Sequence, residues 1–141
     1  MILEHLNYMA VTVSAIAYFA IGSVWFSPAG FSKPWMNGHN ISMPTDEETR
    51  KKMMKEMPKY MAFSLLSCFV ATIALACLQA LIGTHNWMAG AKLGLVAGSF
   101  VFIAFAQSHM YTRKSFKLVL IDAGYHIAGL VLVGIILSVW R

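Results

Sequence analysis

Charge is scarce in this sequence. Only 12% of its 141 residues are Asp, Glu, Lys or Arg, while 58% are hydrophobic; a soluble domain is usually nearer a quarter charged and half apolar. Mean hydropathy is +0.63. This balance excludes an ordinary water-soluble domain and points to one membrane domain spanning 1–141. Catalytic signals are missing too. The sequence has no nucleophile elbow, no Gly-rich phosphate loop after a strand and no paired carboxylates, so an enzyme is not expected. Cysteine is limited to Cys68 and Cys77, in one apolar stretch. On a helix they lie about 13 Å apart, too far to bridge, and they read as small packing residues. No CxxC or metal-ligand spacing occurs. The net charge of +5 does not imply nucleic acid, because the charges cluster between apolar segments.

What is abundant is long apolar runs. A helix crossing the bilayer needs roughly 20 mostly apolar residues. Four segments qualify, at about 7–26, 60–82, 87–110 and 118–140. They show no strand alternation, and only a helix satisfies its own backbone within one segment in lipid. The fold class expected is therefore all-α and integral to the membrane, a four-helix bundle. The opening "MILEHLNY" carries Glu4 and no Lys or Arg, unlike a cleavable signal peptide. Orientation follows from the basic residues. Lys33, Arg50, Lys51, Lys52, Lys55 and Lys59 lie in loop 27–59, and Arg113, Lys114 and Lys117 follow the third span. The turn "GTHN" has none. The positive-inside rule puts both basic loops in the cytoplasm and both termini outside the inner membrane. Lys92 and Arg141 oppose the trend; Lys92 can snorkel and Arg141 is terminal.

The loop 27–59 opens with "WFSPAGFSKPW". Trp25, Phe26, Phe31 and Trp35 fit an aromatic belt, with Trp25, Pro28 and Trp35 as inner-interface anchors. Pro28 and Pro34 favour turns. "PTDEETRKKMMKEMPK" then predicts a short amphipathic helix capped by Thr45 with Glu48, and ended by Pro58. It is expected to lie on the interface, with Met53, Met54 and Met57 toward the acyl chains. Arg50, Lys51, Lys52 and Lys55 then meet anionic lipid. A solvated helix is the plainer alternative. A methionine copper site lacks a repeated Met-x-x-Met pattern.

Small residues recur every four positions on two spans. The second has Ser64, Cys68, Thr72, Ala76 and Ala80; the third has Gly90, Gly94 and Gly98. Small residues let membrane helices approach closely, and the tight turn between these spans suggests that the stripes face each other. The alternative is an interface between copies of a homo-oligomer.

Ionisable residues at membrane depth are candidates for function. Asp122 and His126 lie four apart on one face of the last span, with Tyr125 adjoining. Gln107 comes at nearly the depth of Asp122, and together the four form a candidate polar site in the inner leaflet. A proton relay through His126, a pocket for a headgroup or cation, and a structural hydrogen-bond lock are the open readings. His109 and His126 differ in depth by roughly 10 Å, and no third strong ligand is evident, so neither a metal nor another cofactor is expected. Two functional readings follow. One is a structural or accessory component, self-associating or docked on a partner. The other is a small transporter or channel using Asp122 and His126.

"GSVWFSPAGFSKPW" and "DAGYHIAGLVLVGIILSVW" resemble the end motifs of the small bacterial membrane proteins of domain-of-unknown-function family 1761. The resemblance spans nearly the whole chain and implies a four-helix membrane protein with no established activity. It also implies Asn in many relatives where this chain has Asp122, which favours a hydrogen-bonding role there over a titrating one.

Overall fold

The computed structural model describes residues 6–140; Glu4 and Arg141, used in the leader and charge readings, lie outside them. Five helices occur among the described residues: α1 (Tyr8–Trp25), α2 (Ser32–His39), α3 (Glu47–Ile82), α4 (Trp87–Tyr111) and α5 (Phe116–Val139). All but α2 are long and apolar enough to cross a membrane. Local chemistry sets the ends. The Asn7, Asp46 and Asn86 side chains accept hydrogen bonds from the amides of Ala10, Thr49 and Ala89, at 3.0, 2.8 and 2.8 Å, which satisfies otherwise orphaned first-turn donors. Gly83 ends α3 in the left-handed region, at φ 74°, where a Cβ is unfavourable. The Thr49 side chain and amide hydrogen-bonded to Asp46 hold its carboxyl below its ordinary range, so the cap stays ionised near neutral pH.

Three expectations for the loop are corrected. The cap of α3 is Asp46, not Thr45. The amphipathic segment is no separate helix lying on the interface: α3 runs 36 residues without a break, with Pro58 inside it. Proline removes one amide and leaves the Met54 carbonyl without its helical donor. Met54 and Pro58 are both exposed, so water can take that carbonyl and the helix continues. Lys51 and Lys52 pair along the same helix with Glu47 and Glu48, at 2.9 and 3.2 Å. Pro34, read as a turn residue, instead occupies the first turn of α2, where a missing amide costs nothing.

Helix α5 is the centre of the bundle. Half of its most apolar window is buried, against 17% of that of α4. Helix α4 packs along α5, α1 also packs on α5, and α3 packs chiefly on α1. The two small-residue stripes therefore do not face each other; α3 and α4 barely touch. The glycine stripe meets α5. A Cβ at Gly90 would strike the Gly134 carbonyl, and one at Gly94 the Leu130 carbonyl. Bare backbone on both helices makes that approach possible, and it outweighs the proximity imposed by the α3–α4 turn. Cys68, Thr72 and Ala76 are buried, and Cys68 and Ala76 pack in a core with Tyr18, Leu75 and Val133; Ser64 and Ala80 are exposed. Both cysteines are free.

Gln79, unremarked as a packing residue in the sequence, donates from Nε2 to the Gly134 carbonyl at 2.8 Å in the core. Gln79→Leu is expected to cost about 1 kcal/mol, the usual worth of an interhelical polar contact in a membrane. A lowered thermal midpoint in detergent checks it; an unchanged midpoint contradicts the assignment.

Candidate functional site

Two polar clusters lie one turn apart along α5. The first is centred on Asp122, which is 7% exposed. It is assembled from three helices. On α2, Trp35 and His39 are four residues apart and so share a face. Trp35 Nε1 donates to Asp122 Oδ1 at 2.7 Å, and His39 Nε2 lies 3.3 Å from Oδ2. From the last turn of α4, His109 Nε2 reaches the same Oδ2 at 2.8 Å. The rings of Trp35 and His39 meet at a tilt of 54°, with centroids 4.8 Å apart, and those of His39 and His109 are 6.0 Å apart. The ligand-type atoms of His39, His109 and Asp122 all fall within 4.8 Å of one another.

The segment after α1 folds back as a strap that holds α2 against α5. Trp25 Nε1 donates to the Ile121 carbonyl at 3.0 Å. Phe26 packs edge-on against both Trp35 and Tyr125. Gly38 rests on Leu118, where a Cβ would come within 2.8 Å of a Leu118 methyl. Lys114 donates to the Gly38 carbonyl at 3.2 Å. Trp25 and Trp35, expected as inner-interface anchors, are half-buried and donate their indole N–H groups to α5; Pro28 is exposed in the intervening turn.

The second cluster centres on His126. Its Nδ1 pairs with the Tyr18 hydroxyl at 2.6 Å, and the Tyr125 hydroxyl pairs with Cys68 Sγ at 3.4 Å. Gly129 lets the Tyr18 ring lie directly on the α5 backbone, which brings its hydroxyl to His126. These groups floor a cavity of about 530 Å³ in the gap that α3 and α4 leave by not packing together. Its apolar walls include Phe63, Ala71, Val101, Phe105 and Leu130. Phe105 divides the clusters: its ring stacks on His126 at 5.5 Å and meets His109 at 5.8 Å.

The expected four-residue site is thus redistributed. Gln107 is exposed and belongs to neither cluster, because two residues further along α4 it is His109 that turns toward α5. Asp122 and His126 share a face of α5 yet have different partners. Tyr125 joins the His126 cluster. His39 and His109 are what sequence reasoning misses, and with them a set of three ligand-type side chains. The Trp35–His39 spacing on a short helix is the available signal; the prolines on either side obscure it.

The family model described as "Protein of unknown function (DUF1761)" matches residues 9–138. No curated protein and no solved structure matches the chain.

Proposed function

The chain belongs to the DUF1761 family of proteins of unknown function, and from that premise we propose that it is a membrane binding protein for a lipid-phase amphiphile. The ligand enters sideways between α3 and α4, and the role is binding or transport rather than catalysis. The observation that carries this reading is the lateral cavity with a polar floor. Hydrocarbon alone would fill the apolar walls. It would leave the floor's hydrogen-bonding capacity unused, which is costly in a medium without water. His126 Nε2 has no hydrogen-bond partner among the described residues, so a hydroxyl or carbonyl head can pair with it while its chain lies along Phe63, Val101 and Leu130. The volume suits a small-molecule ligand. The basic loops face the cytoplasm in this reading.

A dansylated undecanoic acid probe tests it, with the full chain in nanodiscs. Saturable binding is expected. His126→Phe should weaken it about tenfold, the worth of one hydrogen bond, and Ala71→Trp should abolish it by filling the cavity. Asp122→Asn should leave it unchanged. Equal probe binding in all three variants would exclude the cavity as the site.

A scaffold role is the second reading, favoured by the threefold engagement of Asp122. It predicts variants that lose stability without any change in probe binding.

A further inference from the structure

We propose that His39, His109 and Asp122 form a binding site for a divalent first-row transition metal ion, independent of the lateral cavity. The geometry is the first support. In a tetrahedral centre with bonds of about 2.0–2.1 Å, ligand atoms stand about 3.3 Å apart. His39 Nε2 is already 3.3 Å from Asp122 Oδ2. His109 Nε2, at 2.8 Å, must open by about 0.5 Å. The two imidazoles, whose ligand atoms lie within 4.8 Å of each other, must draw together, a movement open to the partly exposed His39 side chain.

Carboxylate orientation is the second support. Trp35 Nε1 donates to Oδ1, and an indole cannot ligate a metal. It therefore fixes the carboxylate while leaving Oδ2 to the two imidazoles, the role that outer hydrogen-bond partners play around metal ligands.

Charge is the third. The Asp122 side chain is 9% exposed and its ion-pair partners among the described residues are two histidines. The nearby Lys114 ammonium is directed to the Gly38 carbonyl instead. A buried carboxylate without a fixed cation is expensive, and a dication held by the same three side chains compensates it.

The donor set selects the ion. Two borderline imidazoles with one hard carboxylate suit Zn²⁺, Fe²⁺ or Co²⁺. Magnesium and calcium prefer all-oxygen sites and Cu⁺ prefers sulfur. Access runs past His39, whose side chain is 27% exposed against 8% for His109. Three protein ligands leave a fourth position for water or another small ligand on that side.

Co²⁺ titration of the chelator-stripped full chain in detergent tests the site. The expected result is a visible absorption band that saturates at one ion per chain and is displaced by Zn²⁺. His39→Ala should weaken binding by more than about 100-fold, beyond the usual cost of losing an outer hydrogen-bond partner, and Trp35→Phe by about tenfold. The His39 side chain is partly exposed and Trp35 keeps its bond to Asp122 in the variant, so His39→Ala tests the site with the α2–α5 joint still fastened. As a second readout, Zn²⁺ should raise the thermal midpoint of the wild-type chain but not of His39→Ala. Absence of saturable one-to-one uptake, or equal affinity in wild type and His39→Ala, would overturn the proposal.

Discussion

Asp122→Ala is expected to destabilise the fold by about 3–5 kcal/mol, the typical cost of removing one partner from a buried charged network. Three donors lose their acceptor together: the indole of Trp35 and the Nε2 groups of His39 and His109. The damage concentrates on one joint, because α2 is otherwise held by little more than Gly38 against Leu118 of α5 and the bond from Lys114 in the turn before it. Asp122→Asn should cost markedly less. Its carbonyl can still accept from Trp35, and a neutral imidazole can present a lone pair to the amide. Chemical denaturation in a fixed detergent measures both. Equal stabilities for the Asp122→Ala variant and the wild type would mean that the strap is held by something else.

The second large effect concerns the α4–α5 contact. Gly94→Leu should prevent the two helices from closing, at a cost above about 3 kcal/mol, the upper end of ordinary overpacking. What the new side chain would meet is backbone: the Leu130 carbonyl, with Val131 Cα 2.7 Å from the added Cβ. Backbone cannot rotate away as a side chain can. Gly98→Ala is the internal comparison. Its nearest obstacles, an Ile127 side-chain atom at 3.0 Å and the Ile127 Cα at 3.1 Å, are tight contacts that a shift of a few tenths of an ångström relieves, rather than the overlap met at Gly94, so about 1 kcal/mol is expected. The monodisperse fraction on size-exclusion chromatography and the thermal midpoint separate the two. A well-folded Gly94→Leu chain would contradict the close crossing.

The spans are legible because the hydrophobic run is a direct property of composition. Their observed ends lie within two residues of those expected, apart from the start of α3. That exception has a clear cause: Pro58 marks a break only where the lost hydrogen bond cannot be replaced, and an exposed helix can replace it with water. Helix pairing is not legible. Gly90, Gly94 and Gly98 announce a close contact, but four-residue spacing names no partner, and the partner's glycine at 134 is inconspicuous in a uniformly apolar run. The site is half legible. Asp122 and His126 stand out because charge in a span is rare, and Tyr125 adjoins them. His39 sits in a segment between prolines, where polar residues are ordinary. His109, placed by depth alone, falls too near the interface to join His126, and only the tertiary approach of α4 to α5 brings it to Asp122. That same approach, rather than any local pattern, turns Gln107 away.

The Asp122 cluster draws its atoms from positions 35, 39, 109 and 122, so that α3 and α4 separate its first members from its last along the chain. Synthesis delivers Trp35 and His39 early and Asp122 last. Until α5 is in place, the aromatic strap has no acceptor for either indole, since Trp25 also requires the Ile121 carbonyl. Fastening of α2 is therefore coupled to insertion of the final helix, and a chain truncated before residue 116 has every strap residue but nothing for the strap to close on.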